Sequence, residues 1–214
     1  MNIGTIIKKA EELNTISIDD TLGKGLKIIE ENDLLSLPVV EGKKFIGILS
    51  RRYVYETYFK EDGGDKKEFL ERKVEEFMKT KVPSVDNLNM LIEEAAAMFF
   101  ANNKLRFIPV VNENEELLGI ITKKAILERF RFIYGMNEPR LVIYIYDFKG
   151  KLAKITDIIA KAGGNIKNIV QADTEVLGLQ EISLRVKAND IRKIVKSLNS
   201  HGFEVREFNE NNYK

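Results

Sequence analysis

The sequence predicts an α+β chain of three small units: two β-α-β-β-α units in tandem, then a C-terminal β-α-β-β-α-β unit. Three observations carry that reading. The run Leu37-Pro-Val-Val40 followed by Phe45-Ile-Gly-Ile-Leu-Ser50 returns as Ile108-Pro-Val-Val111 followed by Leu117-Leu-Gly-Ile-Ile-Thr122, which is internal repetition at the scale of one supersecondary unit. Upstream of each run lies an apolar stripe at helical spacing. Beyond Pro139 the pattern changes, and Leu141-Val-Ile-Tyr-Ile-Tyr146 opens a series of strand and helix signals unlike either copy.

In the first unit, residues 1–60, a short strand falls at 15–18. Asp19 and Asp20 stand where a helix N-cap is expected, and Leu22, Leu26 and Ile29 share one helical face. Strands follow at 38–41 and 45–49, joined by polar Gly42-Lys-Lys44, and a helix after Ser50 closes the unit. Residues 61–73 read as a charged linker, with Lys60-Glu-Asp-Gly-Gly-Asp-Lys-Lys67 as a surface loop. The second unit, residues 74–133, repeats the order. It has a strand at 83–85, Asp86-Asn87 at the cap, and a stripe of Leu88, Leu91, Ile92, Ala95 and Phe99. Strands at 109–112 and 117–121 flank Glu113-Asn-Glu-Glu116, and a helix follows Thr122.

The third unit, residues 139–209, starts on the strand at 141–146. Leu152, Ile155, Ile158, Ile159 and Ala162 form a helical stripe ended by Gly163-Gly164. Strands are expected at 166–172 and 182–186. In the latter, Ile182, Leu184 and Val186 alternate with Glu181, Ser183, Arg185 and Lys187, giving one buried and one polar face. Ile191, Ile194, Val195 and Leu198 make a second helix, capped by Asn189 or Asp190 and stopped before Gly202, and a strand at 203–208 ends the unit. This is the split-βαβ, ferredoxin-like order.

Composition removes several function classes. The 214 residues hold no Cys and one His, His201, so thiolate chemistry, Cys-based metal sites and multi-His metal sites are excluded, and no cofactor is expected. His201 precedes Gly202 at a helix end, where an imidazolium suits the dipole better than it suits catalysis. Lys plus Arg is 34 and Asp plus Glu is 33. Residues 1–73, 74–138 and 139–214 carry −1, −2 and +4, too even a spread for a nucleic-acid binder. The longest apolar run, 95–101, falls far short of the ~18 residues of a spanning helix. The N-terminus shows no basic region followed by a long apolar core, and the expected location is the cytoplasm.

The repeated Leu/Ile-Pro-Val-Val and Gly-Ile-Leu/Ile-Ser/Thr pattern resembles a pair of CBS domains, a Bateman module. The tail, with Asp147-Phe-Lys-Gly150, then Leu-Ala-Lys-Ile-Thr-Asp157, then Gly163-Gly-Asn-Ile166, resembles an ACT domain. The combination is similar to AcuB-type acetoin-utilisation proteins. The resemblance implies a regulatory protein without catalytic residues. An adenosine nucleotide would bind between the CBS repeats and an amino acid at the ACT domain, in a homodimer that modulates a partner protein. A non-catalytic dimeric scaffold with degenerate clefts is the alternative.

The same resemblance indicates the nucleotide-site candidates: Ile16, Pro38, Ser50, Arg51 and Arg52 in copy one, and Val85, Arg106, Pro109, Thr122, Lys123 and Lys124 in copy two. In the family an Asp stands three residues after the Ser/Thr and holds the ribose hydroxyls. Tyr53 and Ala125 occupy those positions here. Arg51-Arg52 and Lys123-Lys124 then read either as phosphate clamps at helix starts or as solvated pairs. Arg106 reads either as a phosphate ligand or as a partner of Glu113. In the ACT-like unit, Asp147, Gly150 and Asn165 are the amino-acid candidates; each also has a purely local reading, as a cap or turn residue.

Overall fold

The computed structural model describes residues 1–61, 64–146, 149–176 and 178–209. It divides into two units, Met1–Ile126 and Leu127–Lys214. In chain order the elements are β1 (Lys8–Lys9), β2 (Ile16–Ser17), α1 (Leu22–Glu31), β3 (Ser36–Glu41), β4 (Lys44–Ser50), α2 (Arg51–Lys60), α3 (Lys66–Glu71), α4 (Ile92–Ala101), β5 (Phe107–Val111), β6 (Leu117–Thr122) and α5 (Lys123–Ile133). They continue with β7 (Arg140–Tyr146), α6 (Lys151–Lys161), β8 (Asn165–Asp173), β9 (Leu179–Lys187), α7 (Ile191–Ser200) and β10 (Val205–Asn209).

Each copy of the repeat builds a three-stranded sheet, β2-β3-β4 and β1-β6-β5. The repeated hairpins, β3 with β4 and β5 with β6, form where alternating turn chemistry predicts them, and Gly42 turns the first at φ +60°. The strand expected at 83–85 contracts to one parallel bridge, in which Val85 N donates to Pro109 O (2.9 Å) and Val111 N to Val85 O (2.8 Å).

The two copies exchange their leading segments. β1, at the start of copy one, pairs with β6 of copy two, Lys8 opposite Ile120 and Lys9 opposite Gly119. In return Lys79 and Ile48 of β4 exchange backbone hydrogen bonds of 2.9 and 3.0 Å. Val74 and Phe77 enter the core of copy one beside Ile16, Leu22, Ile29, Leu37 and Val54. Residues 74–79, which the sequence pattern places at the start of the second unit, thus pack on copy one. The repeated glycines mark the crossings. A Cβ on Gly47 would lie 2.6 Å from the carbonyl oxygen of Lys79, and one on Gly119 would fall on the carbonyl of Lys8.

Helix starts differ from the sequence reading. The side chain of Thr21, not of Asp19 or Asp20, caps α1 by accepting from Lys24 N (3.3 Å), while Asp20 accepts from Ser17 N (3.1 Å) in the turn before it. In copy two, Asn87 closes a turn onto Asn89 N (2.8 Å), and α4 starts only at Ile92, leaving Leu88 and Leu91 exposed. The segment read as a linker contains α3. Asp65 caps it through Lys67 N (2.6 Å), and Phe69 packs edge-on to Phe77 at 5.2 Å. Residues 62 and 63 of the expected loop lie outside the described residues.

The second unit carries one antiparallel sheet of order β10-β7-β9-β8, the order that the β-α-β-β-α-β pattern predicts. Leu141, Ile143, Ile182, Leu184 and Val186 pack against Ile155, Ile159, Ile194 and Leu198 of α6 and α7. Asp190 caps α7 through Lys193 N (3.1 Å), and Gly163 and Gly202 end their helices at φ +86° and +82°. His201 sits at the C-cap of α7 with Nδ1 2.8 Å from Ser197 O. The opposite sheet face sets polar groups around buried Val142: Arg140 donates to Ser183 Oγ (2.8 Å) and Glu181 (3.1 Å), and Tyr144 donates to Glu181 (3.1 Å). Among the described residues no helix is long and apolar enough to cross a membrane.

Candidate functional site

The first unit holds a cleft of about 740 Å³ where the start of α2 faces the loop before β5. The end of β4 and the first turn of α2 contribute Ser50, Arg51 and Arg52, and copy two contributes Arg106. Four of the sequence-predicted residues are thereby brought together. Leu35, Tyr55, Glu56, Phe59 and Lys60 complete the lining.

The reason for this grouping is helical geometry. Arg52, Tyr55, Glu56, Phe59 and Lys60 lie on one stripe of α2 at spacings of three and four residues. Val54 alone is buried on that helix, and it anchors the opposite side in the core of copy one. The cleft-facing stripe is thus left to solvent, with Phe59 77% exposed and Leu35 52% exposed. Leu35, Tyr55 and Phe59 make an apolar, partly aromatic wall of the kind that receives a planar ring.

Around that wall stand four cations, Arg51, Arg52, Lys60 and Arg106, against the single carboxylate of Glu56. Arg52 Nε binds Glu56 Oε1 at 2.6 Å. That hydrogen bond first, and the charges of Arg52, Lys60 and Lys104 with it, hold the Glu56 carboxyl below the usual carboxylate range. Tyr55 donates to Glu30 Oε1 (3.0 Å), and burial followed by that bond pushes its phenol above the ordinary tyrosine value. The guanidinium groups of Arg51 and Arg106 form no hydrogen bond or ion pair among the described residues; in particular Arg106 does not pair with Glu113. The Ser50 hydroxyl, at the N-cap position of α2, caps nothing. Two guanidinium forks, an ammonium and a hydroxyl at a helix start suit an anion with several oxygens.

The other candidates lie elsewhere. Ile16 and Val85 are core side chains, and Pro38 and Pro109 are buried in β3 and β5. Thr122 Oγ1 accepts from Ala125 N (3.1 Å), so it caps α5. Lys123 donates to Asn103 O (3.1 Å) and lies 5.4 Å from the Phe99 ring centre. Lys124 follows it on α5, outside the cleft. Tyr53 is about half exposed and does not line the cleft.

Sequence reasoning missed Leu35, Tyr55, Glu56, Phe59 and Lys60. Two signals were present. Leu35 stands three residues before Pro38, as Arg106 stands three before Pro109, and the aromatic stripe of α2 has helical spacing. In the second unit Gly150 is the N-cap of α6 at φ +74° and Asn165 opens β8 on the exposed side; Asp147 lies outside the described residues.

The chain thus presents a tandem repeat with a cation-lined cleft against an apolar wall. The CBS domain model matches residues 5–59 and 74–131, and the chain belongs to the CBS domain family. Inosine-5′-monophosphate dehydrogenase of Korarchaeum cryptofilum is 30% identical over 206 residues, covering 89% of this chain and 40% of that enzyme. The chain thus spans less than half the length of this relative. Among solved structures, CBSX2 in complex with AMP superposes with a TM-score of 0.52 at 21% identity, over 60% of this chain and 95% of its own. CbpB in complex with c-di-AMP gives 0.51 at 19% identity, over 61% and 85%. These likenesses show a shared fold.

Proposed function

We propose that the protein is a small-molecule-sensing regulator without catalytic activity. It binds an adenosine-type nucleotide in the cleft formed by Ser50, Arg51, Arg52 and Arg106, and modulates a partner protein. The observation that carries this reading is the pairing of an apolar wall with two guanidinium groups that make no hydrogen bond or ion pair among the described residues. AMP and c-di-AMP in two similarly folded proteins support the choice of nucleotide. Ligand binding biases a partner only through unequal affinity for two arrangements of the protein. In the second unit, the sheet order and the positions of Gly150 and Asn165 support an ACT-like site for an amino acid, and with it the likeness to acetoin-utilisation proteins. Exposed Phe100 and Phe132, 87% and 70% accessible, support a homodimer.

Calorimetry and thermal shift with adenine nucleotides and amino acids test the proposal. A nucleotide at a hundred times its Kd is expected to stabilise the protein by about 2.7 kcal/mol. A flat response to both panels would refute the sensor. Tyr53 and Ala125, where the family carries ribose-binding carboxylates, favour the second reading: a dimeric scaffold whose clefts no longer bind. It predicts that flat response together with a dimer in light scattering.

A further inference from the structure

We infer that the CBS pair holds one phosphate-reading site rather than two, and that its ligand is a nucleoside di- or triphosphate gripped by its phosphates with no reading of the ribose 2′-hydroxyl. This rests on the nucleotide reading above and narrows it.

The two copies are equivalent in sequence pattern but not in what their polar groups do. At the end of β4, the Ser50 hydroxyl and the Arg51 guanidinium make no hydrogen bond among the described residues, the backbone N–H of Arg51 being held by Leu35 O (3.1 Å). At the end of β6, the matching Thr122 hydroxyl caps α5 through Ala125 N (3.1 Å). The matching Lys123 ammonium is bound to Asn103 O (3.1 Å) and stacked on Phe99. A ligand phosphate at copy two would have to displace these contacts, whereas at copy one it meets unpaired donors. Arg106 adds to the same imbalance: it reaches from copy two into the copy-one cleft, where its counterpart is apolar Leu35.

Charge and donor inventory set the ligand class. Four cations against one carboxylate leave the cleft an excess of three positive charges. That matches a di- or triphosphate better than a monophosphate. Reading a sugar diol calls for a carboxylate free to accept from it. The cleft's one carboxylate, Glu56, is held by Arg52 at 2.6 Å.

Titration calorimetry of the full chain with ATP, 2′-deoxy-ATP, AMP and inorganic triphosphate tests this, on the wild type and on Arg51→Gln, Arg106→Gln and Lys123→Gln. One ATP per chain is expected, bound at least about tenfold tighter than AMP, with 2′-deoxy-ATP within about threefold of ATP. Arg51→Gln and Arg106→Gln are each expected to weaken ATP by roughly 10- to 100-fold, and Lys123→Gln to leave it unchanged. Two ATP per chain, AMP as tight as ATP, a tenfold loss on removing the 2′-hydroxyl, or a loss in Lys123→Gln would overturn the inference while the nucleotide reading stands. Triphosphate binding once and depending on Arg51, with none of the three nucleotides binding, would uphold the phosphate site and remove the adenosine reading. Silence from all four probes would remove both.

Discussion

Replacing Gly47 by alanine probes the crossing of chains that closes the copy-one sheet. The new methyl carbon would lie 2.6 Å from Lys79 O, 3.2 Å from Lys79 C and 3.5 Å from Thr80 Cα. All three obstacles are backbone, so no rotamer change relieves them. Overpacking of this kind costs about 1–3 kcal/mol. The displaced segment also carries the reciprocal Ile48–Lys79 hydrogen bonds of 3.0 and 2.9 Å, at about 1 kcal/mol each if both break. Alanine's lower entropy in the unfolded chain offsets about 0.4–1 kcal/mol. The expected net loss is about 2–4 kcal/mol, and Gly119→Ala, aimed at the carbonyl of Lys8, should match it. Urea denaturation followed by circular dichroism measures the loss, and native-state hydrogen exchange locates it at the Ile48 and Lys79 amides. A change below about 0.5 kcal/mol with unaltered exchange at those amides would refute the steric argument.

Two further outcomes follow from named contacts. Arg72 lies over the Phe77 and Phe69 rings at 4.4 and 5.4 Å and pairs with Glu61 and Glu76 at 2.6 and 2.8 Å. Arg72→Ala should therefore cost about 1–2 kcal/mol in denaturation, and 1 M salt should reduce but not abolish the difference from wild type, since ring stacking persists where ion pairs are screened. The hydrogen bond from Lys24 first, with that from Ser17 N, lowers the Asp20 pKa in the folded protein. The resulting stabilisation, about 0.5–1 kcal/mol, is present above the ordinary aspartate value and lost as pH falls through the lower folded value. Asp20→Asn should accordingly destabilise at pH 7 and converge with wild type in acid; a constant gap down to pH 2 would contradict the assignment.

The parts of the fold legible in sequence were those written as strong local patterns. Pro38 and Pro109 with their paired glycines announced two hairpins, and the alternation of Ile182, Leu184 and Val186 announced a half-buried strand. The segment exchange was not legible, because β1 is two residues long and Lys8-Lys9 carries no apolar period; only the partner strand defines it. The start of α4 was misplaced because Leu88, Leu91 and Ile92 mimic a helical stripe, while only Ile92 is buried. At the site, Ser50, Arg51, Arg52 and Arg106, which line one cleft, were named from the family resemblance. The rest of the lining was not, because a helix that anchors itself by only Val54 and half-buried Tyr58 gives too short a core pattern from which to read its outward stripe. The different fates of Ser50 and Thr122 were also hidden, since equivalent residues differ only in whether a backbone amide has claimed the hydroxyl.

The crossed leading segments set the load path through the CBS pair. Residues entering copy one at β1 are fastened to β6, and residues entering copy two at Lys79 are fastened to β4. A displacement applied to the lead-in of one copy is therefore felt first by the sheet of the other. The copies cannot part like two leaves of a hinge without tearing both sheets. The layer lying on them is held differently: α2, seated by Val54 and by Tyr58 against Phe69, rests on side-chain contacts rather than on the crossed strands.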